Sequence, residues 1–253
     1  MSKIALTTGA TAGIGEACAK LFAKQGFNLI LTGRRTERLQ KIQKELTIDH
    51  KVKVEILSLD VRHKNDVEDQ LEALNDNWKL VDVLINNAGL SVGLEPINEG
   101  NTDDWDTMID TNIKGLLYVS KVVSNWMIKN GKGHIINLGS IAGKETYANG
   151  NVYCATKHAV DSLNKAMRID LLPYGIKVTG IHPGAVETEF SEVRFKGDIE
   201  QAKKVYEGFD ALSASDIAET IWFAVSRPAH VNINDLVIMP TAQASTAHLK
   251  RNE

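Results

Sequence analysis

The stretch Ile4-Ala5-Leu6-Thr7-Thr8-Gly9-Ala10-Thr11-Ala12-Gly13-Ile14-Gly15 decides the fold of this chain. An apolar run of strand length enters a loop with the spacing GxxxGxG, and a helical pattern follows as far as Lys24. Glycines let the backbone turn sharply and approach a pyrophosphate, while the next helix points its first amides at the anion. A plain glycine turn has the same spacing, but the flanking strand and helix favour a dinucleotide-binding loop. Its predicted cofactor contacts are Gly9, Thr11, Gly13, Ile14 and Gly15.

Six further apolar runs of strand length alternate with segments of helical period. They lie at residues 28–32, 52–59, 81–85, 134–138, 176–181 and 235–239. Apolar strands that alternate with helices predict a parallel sheet covered on both faces, and right-handed crossovers make it doubly wound. We therefore expect an α/β fold of one Rossmann-like domain over residues 1–253, with seven parallel strands. Residues 184–213 are predicted to be a long irregular loop, which in a compact domain suggests a mobile lid over the substrate.

The composition argues against several classes of partner. The 253 residues carry a net charge of −3, which gives no reason to expect nucleic acid or an anionic membrane. No apolar run approaches the ~20 residues of a membrane span, and the N-terminus lacks the small-residue cleavage site of a signal peptide. The two cysteines, Cys18 and Cys154, cannot form a disulfide framework, and the cysteines and histidines lack metal-ligand spacing. We expect a cytoplasmic protein without a metal.

The end of the second strand predicts the choice between NAD and NADP. An NAD site usually places Asp or Glu there, on the ribose 2'-hydroxyl, whereas this strand ends in Thr32-Gly33-Arg34-Arg35. A guanidinium pairs with a 2'-phosphate that a carboxylate would repel. The arginines could instead only decorate the start of a charged helix, although the helix dipole disfavours a cation there. We predict NADP, bound through Arg34 in preference to Arg35.

Two other strand ends supply candidate cofactor contacts. Asp60 and Val61 follow the third strand, where the carboxylate of Asp60 could accept a hydrogen bond from an adenine amino group. A helix N-cap is the alternative role for Asp60. The fourth strand runs into Asn87, Ala88 and Gly89, whose small and amide side chains would let the cofactor pass closely.

A candidate proton-transfer pair lies in residues 151–172, which have a helical pattern. Tyr153 and Lys157 are four residues apart, so their side chains share a helix face. A phenol titrates near ~10, and a neighbouring ammonium pulls its pKa toward neutral, so that it could exchange a proton with a substrate oxygen. Ser140, at the end of the preceding strand, could hydrogen-bond the same oxygen. In isolation, this four-residue spacing of tyrosine and lysine more often marks a solvated helix face than a proton-transfer pair. The glycine-rich loop and Ser140 favour the proton-transfer pair in this chain.

Together these motifs resemble the short-chain dehydrogenase/reductase family over essentially the full chain. The resemblance rests on Thr8 to Gly15, Asn86 to Gly89, Asn112, Ser140, Tyr153, Lys157 and Pro183-Gly184. It implies that Tyr153 is the acid/base, that Ser140 orients the substrate oxygen, and that Lys157 binds the nicotinamide ribose and lowers the tyrosine pKa. Asn112 would hold a water that links Lys157 to solvent. The nicotinamide end of the cofactor would contact Pro183, Gly184, Val186 and Thr188.

Several segments carry a narrower resemblance, to the NADP-dependent 3-hydroxy acid dehydrogenases that include serine and L-allo-threonine dehydrogenases. They are Thr32 to Arg35, Trp105 to Asn112, Gly150 to Tyr153, Glu189 to Ser191, Val193 to Asp198, His230 to Asn234 and Met239 to Ser245. This resemblance implies oxidation of the 3-hydroxyl of small acids, or reduction of 3-oxo acids, by a homotetramer.

The expected lid offers a group for the substrate acid. Arg194 could bind a carboxylate with two parallel hydrogen bonds, unless the segment is only a solvated charged loop. With Ser140 and Tyr153 it makes up the predicted substrate contacts. A reductase of another carbonyl, such as a 3-oxoacyl thioester, a sugar or a diketone, is the first alternative. A non-catalytic nucleotide-binding regulator is the second, although such a protein would be expected to lose the tyrosine or the lysine.

Overall fold

Seven parallel strands form one sheet at the centre of the computed structural model, which describes residues 2–252. The strands are β1 (Ile4–Thr7), β2 (Asn28–Gly33), β3 (Val54–Ser58), β4 (Val83–Asn86), β5 (His134–Leu138), β6 (Lys177–Pro183) and β7 (Asp235–Ile238). They lie in the order β3-β2-β1-β4-β5-β6-β7, and each neighbouring pair is parallel. The predicted α/β class and the seven-stranded, doubly wound sheet are confirmed. Ligands bind such sheets at the carboxyl ends of the strands, beside the point where the order reverses, here between β1 and β4.

Helices cover both faces of this sheet. Within residues 2–252 the α-helices are α1 (Gly13–Lys24), α2 (Thr36–His50), α3 (Lys64–Glu72), α4 (Thr102–Ile109), α5 (Leu116–Asn130), α6 (Asn151–Asp170), α7 (Phe190–Arg194), α8 (Ile199–Lys204) and α9 (Ala214–Val225). Buried side chains of α1, α2 and α9 form the core on one face, and those of α3 and α5 form the core on the other. None of these helices is long and apolar enough to cross a bilayer.

The strand sequences explain the two cores. β1, β2, β4 and β5 are almost entirely buried, because a parallel strand between two helical layers has no solvent face. On one face, Phe22 meets the rings of Phe27 and Trp222 edge to face, with ring centroids 5.1 and 5.4 Å apart. Such pairs contribute stabilisation beyond the area that they bury. The sheet is therefore a rigid platform for the side chains at its carboxyl edge.

A π-helical turn, Asp110–Gly115, joins α4 to α5 in one continuous helical segment. A π turn inserts an extra residue into a helix and is often found at functional sites. Here the turn buries Thr111 and Asn112, and it brings Gly115 against the side chain of Val61, which follows β3. The helical pattern of the sequence did not predict this widened turn.

The prediction that residues 184–213 are an irregular loop is wrong. The segment contains α7 and α8, and Asp198 caps α8 by accepting a hydrogen bond from the amide of Gln201 at 3.0 Å. Tyr206 ties the segment together, because its hydroxyl donates to the Val186 carbonyl at 2.9 Å and lies 2.7 Å from the Ser191 hydroxyl. Helices of five and six residues are too short for a 3.6-residue period to be legible in the sequence. We call residues 184–213 the lid segment below.

Candidate active site

A cleft of about 360 Å³ opens at the carboxyl edge of the sheet, at the switch point. The predicted site residues that line it are Gly9, Thr11, Gly13, Ile14, Arg34, Arg35, Asp60, Val61, Asn87, Ala88, Gly89, Ser140, Tyr153, Lys157, Pro183, Gly184, Val186 and Thr188. Gly15, Asn112 and Arg194 are not among its lining residues. The fold thus gathers motifs from β1, β2, β3, β4, β5, α6 and β6 around a single space.

The glycine-rich loop is shaped for an anion. α1 begins at Gly13, which has a φ of +54°, and its N-cap is Ala12, whose methyl side chain cannot satisfy the first amides of the helix. A Cβ on Gly15 would overlap the Gly9 carbonyl, so only glycine lets the loop fold this closely under the cleft. An uncapped helix N-terminus that faces a cleft fits a pyrophosphate.

Asn87 braces this loop rather than only making room for a ligand. Its side-chain amide donates to the carbonyls of Thr8, at 2.9 Å, and Gly9, at 3.1 Å. In return the Thr8 hydroxyl accepts from the amides of Asn87, at 3.0 Å, and Ala88, at 2.9 Å. The end of β4 and the loop after β1 are thereby held as one unit.

The two arginines after β2 have different surroundings. Arg35 donates to the Thr11 hydroxyl from Nε, at 3.0 Å, and from Nη2, at 2.9 Å, and it pairs with Glu189 of the lid segment at 2.7 Å. Arg34 is 61% exposed, and its Nη1 lies 3.9 Å from Asp60. Arg35 therefore holds the glycine-rich loop, while Arg34 extends its guanidinium into the cleft from a flexible side chain.

Asp60 does not cap a helix. Its carboxylate accepts from the backbone amide of Arg62 at 3.0 Å and from that guanidinium at 2.6 Å, while α3 begins at Lys64 with His63 in the N-cap position. The N-cap alternative is therefore wrong. Burial acts to raise the pKa of Asp60, but the hydrogen bonds from Arg62 and the charges of Arg62 and Arg34 hold it below its usual value. The carboxylate is charged and faces the cleft, as the predicted adenine contact requires.

Tyr153 and Lys157 lie one turn apart in α6 and both face the cleft, as their spacing predicts. Both side chains are buried, and the Lys157 Nζ lies 6.0 Å from the centroid of the Tyr153 ring. Nζ donates to the Leu138 carbonyl at 2.8 Å, and burial lowers the pKa of Lys157 to about 8. Ser140 reaches the same space from the end of β5, where its hydroxyl accepts from the Ala142 amide at 3.1 Å.

A second cation, Arg194, lies beside the Tyr153 phenol. Burial raises the pKa of Tyr153, and the charge of Arg194 and a hydrogen bond with Ser140 oppose that rise. The Lys157 ammonium donates to the Leu138 carbonyl, and its expected effect on the pKa of Tyr153 stays a prediction. The four-residue spacing correctly predicted the shared face of Tyr153 and Lys157, and it did not indicate the nearby guanidinium of Arg194.

Asn112 lies behind the cleft in the π turn. Its side chain donates to the Leu90 carbonyl at 2.8 Å and accepts from the Leu90 amide at 2.9 Å. A further bond, from Nδ2 to the Thr156 hydroxyl at 3.0 Å, joins the π turn to α6. Asn112 therefore fixes the segment after β4 against the helix that carries Tyr153. The water that would link it to Lys157 stays a prediction.

Three aromatic rings lie close to the guanidinium of Arg194. Its Cζ lies 5.1 Å from the ring centroid of Phe190, 5.3 Å from that of Tyr153 and 5.9 Å from that of Tyr147. Nη2 donates to the Tyr147 hydroxyl at 3.1 Å, and within residues 2–252 the buried Nε has no acceptor. Lys196, the neighbouring lid cation, is engaged by Asp104 at 2.7 Å. Arg194 is thus the lid cation with spare hydrogen-bonding capacity beside Tyr153.

Three further residues contribute to this site and were not predicted as site residues. Glu189 and Phe190 line the cleft from the start of α7, and Tyr147 positions Arg194. Glu189 could have been suspected from its place directly after Thr188. Tyr147 and Phe190 carry no local signal, because their importance depends on a contact with a distant part of the chain.

A cluster of charged and histidine side chains lies next to the site, around His182. His182 Nε2 lies 2.9 Å from Asp235 and 3.7 Å from Asp161, and these three side chains could together hold a metal ion. The Lys144 ammonium lies 2.6 Å from Asp161 and 3.6 Å from Asp235, so a lysine supplies the positive charge here. The His182 ring also packs against Gly139, the residue before Ser140.

Comparison with known proteins identifies the class of protein that this fold and cleft define. Residues 3–198 match the family described as short chain dehydrogenase, and the chain belongs to that family. It is 48% identical over 242 residues to the NADP-dependent 3-hydroxy acid dehydrogenase YdfG of Salmonella typhi, a match that covers 95% of this chain and 96% of the relative.

Two further similarities are informative about the site. Sulfoacetaldehyde reductase 2 of Chromohalobacter salexigens is 44% identical over 248 residues, with 98% of each chain covered. A solved structure of serine dehydrogenase, described as the closed form complexed with NADP+, has a TM-score of 0.92 at 47% identity and covers 99% of each chain. This chain is therefore an oxidoreductase of the short-chain dehydrogenase family.

Proposed function

We propose that this protein is an NADP-dependent oxidoreductase that interconverts small 3-hydroxy acids and the corresponding 3-oxo acids. The observation that carries the proposal is the position of Arg194 beside the phenol of Tyr153, with a buried Nε that has no acceptor among residues 2–252. A guanidinium binds a carboxylate through parallel hydrogen bonds, so an acid held there would present its 3-carbon near the phenol. The relatives named for 3-hydroxy acids and serine support the same substrate class.

The cleft fits NADP. The uncapped start of α1 would hold the pyrophosphate, Arg34 the 2'-phosphate, and Asp60 and Val61 the adenine, while Arg35 braces the glycine-rich loop. Pro183, Gly184, Val186 and Thr188 would contact the nicotinamide end, and Lys157 its ribose. When bound, this cofactor supplies and accepts the hydride, while the protein provides position and electrostatics.

Tyr153 moves the proton. In the reductive direction its hydroxyl donates to the substrate oxygen, and in the oxidative direction its phenolate accepts the proton from the hydroxyl. Ser140, at the end of β5 and next to Tyr153, would hold the same oxygen. Lys157, whose pKa of about 8 leaves it mostly charged at neutral pH, would bind the ribose and pass protons toward the water expected at Asn112.

The lid segment would close over the substrate. α7 brings Phe190 and Arg194 to Tyr153, and Glu189 joins the lid to the cofactor site through Arg35, at 2.7 Å, and Arg38, at 2.6 Å. Closure of such a segment excludes water and completes the substrate contacts. We expect the ion pairs of Glu189 to break when the lid segment opens for cofactor to enter or leave.

A small sulfonated aldehyde is the second candidate substrate. The favouring observation is that Arg194 can pair with a sulfonate as well as with a carboxylate, and that a relative at 44% identity is named for sulfoacetaldehyde. Both candidates need the same guanidinium and the same phenol. Comparison of kcat/KM for a 3-oxo acid and for sulfoacetaldehyde distinguishes them.

Arg194→Ala tests the acid site. We expect the KM for a 3-hydroxy acid to rise about 10- to 100-fold, because charge-assisted hydrogen bonds contribute about 1.5–3 kcal/mol. The KM for the methyl ester of the same acid should change by less than about threefold. Steady-state kinetics with both substrates measure the difference, and Lys196→Ala, which removes the lid cation engaged by Asp104, is the matched control. Equal changes for acid and ester would contradict the acid site.

A further inference from the structure

The residue that would anchor the substrate acid also stands beside the phenol that moves the proton. Arg194 Cζ lies 5.3 Å from the centroid of the Tyr153 ring, and the ring is buried. Water screens charge less at such a position than at the protein surface, so the guanidinium favours the phenolate form more strongly there. Whatever neutralises Arg194 must therefore change the proton affinity of Tyr153.

The other groups that face Tyr153 leave Arg194 as the charge that a substrate can alter. Lys157 and Cys154 face it from α6, Tyr147 from the segment before α6, and Ser140 from the end of β5. Lys157 is held by the Leu138 carbonyl, and Cys154 and Tyr147 are uncharged at neutral pH because burial raises the pKa of both. Arg194 is the lid cation beside Tyr153, and its Nε has no acceptor among residues 2–252.

We propose that Arg194 couples the charge of the substrate to proton transfer: an acid group bound to the guanidinium neutralises it, and Tyr153 then holds its proton more firmly. This inference rests on the proposed function, because it takes Arg194 as the acid site. In the reductive step the O–H bond of Tyr153 breaks, an O–H bond forms on the substrate, the carbonyl is reduced and NADPH is oxidised. Solvent returns a proton to the phenolate. An acid substrate thus extends to higher pH the range over which the phenol keeps its proton, compared with an uncharged carbonyl.

The size of the effect follows from the separation. A charge within ~4–6 Å shifts the pKa of a neighbouring group by about 1–3 units. Removal of the Arg194 charge should therefore raise the pKa of Tyr153 by about one unit or more. One unit is a tenfold change in the proton affinity of Tyr153. The same shift should appear when an acid binds and when Arg194 is replaced by an uncharged residue.

Direct titration of the phenol tests the coupling without turnover. The ultraviolet difference absorbance of the Tyr153 phenolate is followed in the NADP+ complex, with Tyr153→Phe subtracted, in saturating propionate or saturating propionamide. In the wild-type protein we expect the pKa with propionate to lie about one unit above that with propionamide. In Arg194→Met the pKa of Tyr153 should be as high with propionamide as with propionate. Arg194→Lys should keep the lower value with propionamide, and Lys196→Met should behave as the wild type.

The outcomes separate this inference from the proposed function. Equal pKa values of Tyr153 in the wild type and in Arg194→Met, both with propionamide, would overturn the coupling, whichever substrate the enzyme uses. A difference between these two proteins, with no response to propionate, would overturn Arg194 as the acid site of the proposed function.

The pH dependence of reduction gives the kinetic counterpart. kcat reports groups in the substrate complex, whereas kcat/KM reports groups in the enzyme before substrate binds. For acetoacetate the basic limb of kcat should lie about one pH unit above that for methyl acetoacetate, while the two kcat/KM limbs coincide. Arg194→Met should remove the difference in kcat. Coincident kcat limbs in the wild-type enzyme would contradict the coupling.

Discussion

Replacement of Tyr153 by phenylalanine is expected to lower kcat by about 10²- to 10⁴-fold, the usual contribution of a positioned acid or base. The phenol is the titratable group that both faces the cleft and lies beside Arg194, so its hydroxyl is the proton donor that the proposed reaction requires. The ring itself packs in a small apolar cluster with Leu90, Met108, Ala142 and Cys154, and phenylalanine preserves that packing. NADPH binding should stay within about threefold of the wild type.

The measurements are kcat from NADPH oxidation and NADPH affinity from its fluorescence. Tyr147→Phe is the control. It also removes a phenolic hydroxyl near Arg194, but that hydroxyl is not the proposed proton donor to the substrate oxygen. We expect Tyr147→Phe to raise KM for the acid more than it lowers kcat. A Tyr153→Phe enzyme with near-normal kcat would show that another group moves the proton. Loss of NADPH binding, with the fold intact by circular dichroism, would show that Tyr153 is mainly a cofactor contact.

Arg34→Ala should weaken NADPH about 10- to 100-fold while leaving NADH within about threefold. Hydrogen bonds to a charged group contribute about 1.5–3 kcal/mol, and only NADPH carries the 2'-phosphate. Because Arg34 is 61% exposed and lies 3.9 Å from its partner Asp60, its removal disturbs little of the fold. Loss of affinity in this variant therefore reports a direct contact.

Arg35→Ala is the informative comparison. Arg35 braces Thr11 of the glycine-rich loop and Glu189 of the lid segment, so its loss should weaken both NADPH and NADH. Arg38→Ala removes the other partner of Glu189 and should change the ratio of the two affinities little. Kd values for both cofactors are measured for each variant. Equal weakening of NADPH and NADH by Arg34→Ala would refute the 2'-phosphate role of Arg34.

Local spacing predicted the parts of the molecule that depend on neighbouring residues. Each of three features depends on residues that are close together in the sequence: the glycine-rich loop, the strand ends, and the shared face of Tyr153 and Lys157. The sheet and the cleft could therefore be inferred. Arg194 was proposed from the sequence because the shape of a guanidinium suits a carboxylate, and its acid-binding role stays a prediction.

Contacts between distant segments escaped prediction. Arg35 meets Glu189 across 154 residues, and Arg194 meets Tyr147 across 47. The π turn around Asn112 and the short helices α7 and α8 were also missed, because a widened turn and five- or six-residue helices leave no clear periodic pattern. The orientation of Lys157 depends on the Leu138 carbonyl, which no spacing rule could supply.

Substrate oxidation tests the central claim most directly. NADPH formation is followed with L-serine, L-allo-threonine, 3-hydroxypropionate and 3-hydroxyisobutyrate, each beside an uncharged secondary alcohol, first with NADP+ and then with NAD+. We predict turnover of one or more of the acids with NADP+, little with NAD+, and little turnover of the uncharged alcohol. Turnover of the uncharged alcohol alone would contradict the acid site while leaving the family assignment in place, and turnover of the acids with NAD+ in preference to NADP+ would contradict the role of Arg34.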